Sequence, residues 1–191
     1  MKKHVVRIVG GDYRKTPITV IDAPDLRPTP DRVRETLFNW LRHFWADDFT
    51  HKRVLDLFAG TGALGFEAAS HGVAHVQMAE TNPAAVAALR ALRTRLKADC
   101  VRIHAGDALT VLDRSSAPFD LILLDPPFGQ AWLDRLWPRL PAVLHPDSLV
   151  YVESEAAFIP PEDFQVLRQS RAGQVHFQLL RFAALQKKVN N

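Results

Sequence analysis

Four apolar runs in this 191-residue chain each end on residues that could do chemistry. The first, Val54 to Phe58, passes into Gly60-x-Gly62-x-x-Gly65. The second, Val76 to Ala79, ends on Glu80, the third on Gly106-Asp107, and the fourth, Phe119 to Leu124, on Asp125-Pro126-Pro127-Phe128. Glycines let a backbone approach a ligand, and a helix starting there offers unpaired N–H groups and the positive end of its dipole. Such a loop suits a pyrophosphate and a methionine carboxylate equally. Glu80 stands about where an acid holds ribose hydroxyls, so a nicotinamide enzyme fits the loop as well as an S-adenosylmethionine enzyme does.

The Asp-Pro-Pro-Phe tetrapeptide separates the two. An exocyclic base amine is a poor nucleophile because its lone pair is delocalised into the ring. An enzyme must therefore accept hydrogen bonds from its N–H groups and hold it in line with the methyl carbon. The Asp125 carboxylate and the Pro126 carbonyl supply those acceptors, Pro126 and Pro127 fix their direction, and Phe128 offers a flat face for an extruded base. Two prolines could also merely end a strand. With the other strand ends, the reading is a pocket for S-adenosylmethionine beside a methyl-acceptor site. The cofactor-facing set is Asp56, Phe58, Gly60, Thr61, Gly62, Glu80, Asp107 and Ala108, and the catalytic set is Asp125, Pro126, Pro127 and Phe128. Asp107 would accept from the adenine amine and Asp56 would face the ammonium group, unless either caps a helix.

These residues need a scaffold that brings strand ends together. From Val54 onward, apolar cores at 54–58, 73–79, 101–103, 119–124 and 148–152 alternate with helical stretches such as Pro83–Leu96 and Trp132–Leu144, the rhythm of a parallel sheet covered on both faces. Phe164–Arg171 and Val175–Phe182 flank Ala172-Gly173-Gln174 and read as a terminal antiparallel hairpin. Upstream, Val5–Gly11 and Ile18–Ile21 read as a small hairpin around a loop from Asp12 to Pro17. Thr29 is placed to cap a helix starting at Pro30, with Val33, Leu37, Phe38, Leu41 and Phe44 on its apolar face. The expected division is a hairpin extension over residues 1–28 and a catalytic domain over 29–186, with Lys187, Lys188, Asn190 and Asn191 in a frayed tail.

Hydrophobic residues at 47% and charged residues at 24% are ordinary for a globular protein. No apolar run is long enough to cross a bilayer and no signal peptide is legible, so the expected location is the cytoplasm. The lone Cys100 excludes an internal disulfide and a thiolate metal cluster, and it reads as a buried structural thiol. His71 and His75 have helical metal spacing, but Gly72 lies between them, and no metal is expected. Residues 1–53 carry eleven Lys/Arg against seven Asp/Glu, whereas the rest carries thirteen against fourteen. That asymmetry suits contact with a polyanion near the N-terminus. Arg90, Arg93, Arg95 and Lys97 read as a solvated helix face.

The motifs together resemble the bacterial RsmD family. The resemblance rests on Arg7-Ile8-Val9-Gly10-Gly11, Arg27-Pro28-Thr29-Pro30-Asp31-Arg32-Val33-Arg34-Glu35, Asp56 to Gly65, Glu80 and Asp125 to Phe128, and it covers nearly the whole chain. It implies a Rossmann-like class I methyltransferase fold, an α/β seven-stranded mostly parallel sheet with an antiparallel last strand, plus the N-terminal hairpin and helix. It also implies transfer of a methyl group from S-adenosylmethionine to the exocyclic N2 of a guanine in 16S ribosomal RNA, free or in the assembling 30S subunit; the expected state of the chain is a monomer. Gly60 and Gly62 would approach the methionine part, Glu80 the ribose, Asp107 the adenine, and Asp125 to Phe128 the target base. Arg7, Arg14, Lys15, Arg32 and Arg34 are the expected RNA contacts, the first three on a hairpin beside the acceptor pocket. Between Gly11 and Pro17 the chain has fewer Arg, Gly and Lys residues than family members often have. Two alternatives remain at this point: a methyltransferase for another planar amine, DNA adenine or protein glutamine, and an assembly factor that binds RNA and cofactor without needing catalysis.

Overall fold

The computed structural model of the chain describes residues 6–20 and 29–183. Ile21, Arg27, Pro28, the expected boundary at residue 28 and the C-terminal tail lie outside the described residues.

The chain opens with two short strands, β1 (Val6–Arg7) and β2 (Pro17–Ile18), paired antiparallel, followed by α1 (Asp31–Phe44). An alternating series comes next: β3 (Arg53–Asp56), α2 (Ala63–Ser70), β4 (His75–Glu80), α3 (Pro83–Leu96), β5 (Val101–Ala105), α4 (Ala108–Asp113), β6 (Phe119–Leu124), α5 (Trp132–Leu136) and β7 (Leu144–Ser154). The hairpin β8 (Phe164–Ala172) and β9 (Val175–Phe182) closes the fold. The seven long strands form one sheet in the order β5-β4-β3-β6-β7-β9-β8, all pairings parallel except those of β9. This is the seven-stranded arrangement expected from the sequence, with the last strand inserted antiparallel.

Period-two alternation divides the core into two layers. Val54, Val76, Met78, Leu121, Leu123, Tyr151, Phe177 and Leu179 bury one face against α1, α2 and the N-terminal strands. Leu55, Leu57, Ile122, Leu124, Val150, Val152, Leu180 and Phe182 bury the other against α4 and α5. All eight residues of α2 are buried, and a Cβ on Gly65 would sit 2.4 Å from the Met78 side chain, so this glycine lets α2 lie directly on the sheet.

Three local expectations change. The helix expected over Trp132–Leu144 stops at Leu136 and is followed by a 3₁₀ turn over Leu140–Val143, and Leu144 already belongs to β7. Pro138 and Pro141 account for the break, since each removes an N–H and clashes with the preceding turn. Thr29 does not cap α1; Pro30 holds that position without a side-chain cap, and the Thr29 hydroxyl goes elsewhere. The first hairpin has only two residue pairs, because its chain turns to press on the end of α2: Asp12 N–H donates to Ser70 O at 2.9 Å, and a Cβ on Gly11 (φ 69°) would lie 1.9 Å from that oxygen.

Arg34 explains how α1 is fixed. Its side chain is fully buried, with Nη1 on Glu67 Oε2 at 3.1 Å and Nη2 on Asp31 Oδ1 at 2.6 Å. Glu67 in turn accepts from the N–H groups of Val9 and Gly10. One buried carboxylate of α2 thus staples both the helix and the N-terminal segment to the body.

Candidate active site

In this sheet the chain leaves β3 toward β4 and β5, then returns to the other side of β3 through β6. The carboxyl ends of β3 and β6 therefore flank a topological switch point, where open α/β sheets bind ligands. Asp56 and the glycine loop sit at the end of β3, Asp125 to Phe128 at the end of β6, with Glu80 and Asp107 completing the row on β4 and after β5. The structure thereby brings the expected cofactor and acceptor residues to one edge. Phe58 and Trp132 make the seam between them, edge to face with ring centroids 5.3 Å apart.

On the cofactor side, Gly60 (φ 53°) and Gly62 (φ 82°) take left-handed conformations that only glycine adopts without strain. Thr61 is buried between them, and Ala108 is buried at the start of α4. Glu80 organises the loop, with Oε2 accepting from Gly60 N–H at 2.8 Å and Oε1 from the N–H groups of Thr81 and Asn82 at 2.8 and 2.7 Å. Asp107 caps α4, accepting from the N–H groups of Leu109 and Thr110, each at 3.0 Å, and from the Thr110 hydroxyl. The Thr110 hydroxyl, then its N–H, hold the Asp107 carboxyl below the ordinary range. Helix capping is thus realised here, and a carboxylate has further lone pairs for an adenine amine.

Asp56 is the informative residue. It is 1% exposed; Oδ1 accepts from Phe58 N–H at 3.3 Å, and Oδ2 lies against Gly65, whose N–H acts on the carboxyl without closing a full hydrogen bond, so that among the described residues Oδ2 is without a complete partner. Burial, with Asp125 and Glu80 adding repulsion, pushes its carboxyl up to about 7. An unpaired buried carboxylate oxygen beside a glycine loop suits a cationic ligand head, and the ammonium group of S-adenosylmethionine fits that need.

On the acceptor side, Asp125 is half-buried and its Oδ2 accepts from Thr29 Oγ1 at 3.2 Å. Burial raises its carboxyl to about 6. Pro126 is buried, whereas Phe128 is 40% exposed, one of three large apolar side chains so exposed among the described residues. Behind Asp125 lie Glu153 and Tyr151, their side chains hydrogen-bonded at 2.8 Å. Sequence reasoning missed Thr29 as a partner of Asp125, and it missed Glu153 and Trp132. The signal that could have found Glu153 is its place as an acid closing an apolar run, the same signal that marks Glu80.

The expected RNA contacts divide. Arg32 is exposed in the first turn of α1, close in sequence to Thr29 and hence to Asp125. Arg34 is not open to RNA, because the staple to Glu67 and Asp31 takes it into the core. Arg7, Arg14 and Lys15 are exposed, but the hairpin does not sit beside the acceptor loop. Helices run back from the carboxyl ends of the strands, and the loop of Asp12 to Pro17 bonds to Ser70 and Arg95, at the far ends of α2 and α3. His71 stacks on both Phe38 and Phe49, a core role rather than a ligand's. A cavity of about 500 Å³ lies under the short α4, between Gln77, His104 and Phe119, along the sheet face rather than at the acceptor loop.

The family model described as "Conserved hypothetical protein 95" matches residues 6–181 of the chain. The Ribosomal RNA small subunit methyltransferase D of Escherichia coli K12 is 38% identical over 179 residues, covering 91% of this chain and 88% of the relative. The chain belongs to the RsmD family. The protein of the same description from Haemophilus influenzae is 34% identical over 186 residues, covering 93% of this chain and 94% of its own. The solved structure of the Escherichia coli yhhF protein superimposes with a TM-score of 0.83 at 37% identity, covering 94% of this chain and 99% of that one. In this RsmD-family chain the switch-point crevice is therefore where the methyltransferase machinery of such relatives is to be sought, and the dehydrogenase alternative falls away.

Proposed function

We propose that this RsmD-family chain transfers a methyl group from S-adenosylmethionine to the exocyclic N2 of a guanine in 16S ribosomal RNA, free or in the assembling 30S subunit. The observation that carries the reading is the unpaired Asp56 carboxylate oxygen at the glycine loop, one switch point away from an Asp-Pro-Pro-Phe loop. In this reading the chain acts as a monomer in the cytoplasm, where such a substrate is made. Residues 29–186 carry the chemistry and residues 1–28 serve as an extension.

When bound, S-adenosylmethionine supplies a methyl group already activated by its sulfonium. Asp56 faces the ammonium group, Gly60 and Gly62 allow the backbone to approach, and Glu80 and Asp107 accept from ribose and adenine. Asp125 Oδ1 and the Pro126 carbonyl accept from the guanine amine and point its nitrogen at the methyl carbon, with Phe128 stacked on the base. No strong base is needed beforehand, since the amine releases its proton after it has become cationic, and Asp125 is placed to take it.

Radiolabelled methyl incorporation into 30S particles and their RNA, followed by mass spectrometry of the modified nucleoside, tests the reading. Asp125→Ala is expected to lose turnover by about two orders of magnitude or more while its cofactor affinity stays within a few fold. Methylation of DNA or protein instead of RNA would redirect the substrate assignment. Full function of Asp125→Ala in subunit assembly would favour the binding-factor alternative.

A further inference from the structure

Behind Asp125 the fold closes a chain of hydroxyl and carboxyl groups that the transfer chemistry does not use. Leu123 pairs with Tyr151 and Leu124 with Val152, so the next step of the register sets Asp125 alongside Glu153, both side chains on the α1 face of the sheet. Glu153 is 3% exposed and Tyr151 fully buried. The Tyr151 hydroxyl donates to Glu153 Oε1 at 2.8 Å, Thr29 Oγ1 donates to Asp125 Oδ2 at 3.2 Å, and the same threonine hydroxyl faces Glu153.

Donor accounting gives this chain a direction. A threonine hydroxyl has one proton, and here it is spent on Asp125. A hydrogen bond between it and the neighbouring Glu153 therefore closes only if Glu153 brings a proton of its own. The groups facing Glu153 are Tyr151 on its own strand, the Asp125 carboxylate from β6, the Thr29 hydroxyl from the lead-in to α1, and Phe177 opposite it on β9. Burial and the Asp125 charge favour the neutral acid and outweigh the two hydroxyls, which favour the carboxylate, and no cation is paired to it among the described residues. Two ionised carboxylates on neighbouring strands would repel with no cation among the described residues to offset it.

We propose that Glu153 is the positioning residue of the acceptor site, a neutral acid that donates to Thr29 so that Thr29 donates to Asp125 Oδ2 and leaves Oδ1 of an ionised Asp125 to the incoming amine. The role of Asp125 in this inference rests on the function proposed above; the protonation of Glu153 does not. Glu153 is almost fully buried whereas Asp125 is half-buried, so the shared proton resides on Glu153 at neutral pH, its carboxyl pushed up to about 8 by burial first and then by the charge of Asp125. Above that pH Glu153 ionises, the relay loses its donor, and turnover falls.

The first measurement needs no substrate. A carboxyl ¹³C NMR titration of the ligand-free protein, with the Glu153 signal assigned by its loss in Glu153→Gln, is expected to show a protonated side chain at pH 7. An ionised Glu153 at pH 7 overturns the inference, whatever the protein does to RNA. The second uses methyl transfer to 30S particles. Thr29→Val and Glu153→Ala are expected to lower kcat by about 10- to 100-fold with cofactor affinity unchanged. Thr29→Ser and Glu153→Gln should rescue most of that loss, and Glu153→Gln should also abolish the alkaline fall in kcat. If Glu153→Gln is as impaired as Glu153→Ala while still folded, the neutral-donor role is wrong. A protonated Glu153 in a wild-type protein that methylates no ribosomal RNA would instead refute the proposed substrate and leave the Glu153–Thr29–Asp125 relay standing.

Discussion

In the proposed function, Asp56 is costly to the protein without its cofactor and useful once the cofactor is bound. Its carboxyl is raised from about 3.8 to about 7 by burial, and Oδ2 closes no full hydrogen bond among the described residues. Below the unfolded pKa the side chain is protonated in both states and costs nothing. As pH rises through the folded value, the unfolded chain has already ionised, and stability has been lost over that window. Asp56→Asn should therefore melt higher than the wild type above pH 7 without ligand, by as much as about 2–4 kcal/mol in stability. The two proteins should converge near pH 4. The same substitution should weaken S-adenosylmethionine binding at least about tenfold, since a charge-assisted hydrogen bond becomes a neutral one. Calorimetric titration and melting curves across pH read both halves, and a variant that binds normally removes Asp56 from the site. Glu80→Ala should also bind weakly, because the loop N–H groups of Gly60, Thr81 and Asn82 lose their common acceptor.

Between elements, the Arg34–Glu67 staple decides where α1 and the N-terminal segment sit. Removing only Arg34 leaves Glu67 buried, with burial already pushing its carboxyl up. Arg34→Ala is expected to cost about 3–5 kcal/mol, the range for breaking a buried pair on one side. An Arg34→Met, Glu67→Gln double variant should lose less than Arg34→Ala alone, since Gln still accepts from Val9 or Gly10 and leaves no charge stranded. Thermal unfolding of the three proteins tests this, and a wild-type melting point for Arg34→Ala would show that the pair holds nothing in place. α1 also delivers Thr29 to Asp125, so a loosened staple should lower turnover as well as stability.

For the whole molecule, the question is where a large RNA lies. The hairpin loop with Arg14 and Lys15 is at the far end of α2, an eight-residue helix about 12 Å long, whereas Arg32 stands near the acceptor loop. For a short RNA spanning only the target region, Arg32→Ala should flatten the dependence of log affinity on log salt by about 0.7–0.9 for each phosphate it no longer neutralises. Arg14→Ala with Lys15→Ala should leave that slope unchanged on the short RNA. Fluorescence anisotropy over a salt series separates the two, and equal slopes in Arg32→Ala and the wild type would move the RNA surface away from α1.

The sequence by itself determined the strand-and-helix rhythm, the glycine loop and the acids at strand ends, because each is a local signal: period-two burial, positive φ and an apolar run closed by a polar residue. Pro83–Leu96 and Val175–Phe182 form their elements over the residues read from the pattern. Tertiary structure alone decided what long-range contact decides. Thr29 could have been a cap and is instead a partner of Asp125, 96 residues away; Arg34 could have been a solvated cation and is instead buried against Glu67; the hairpin charges could have lined the pocket and instead lie at the opposite end of α2. A side chain's neighbours across the fold depend on strand order and helix direction, and neither is written in the spacing of residues along one segment.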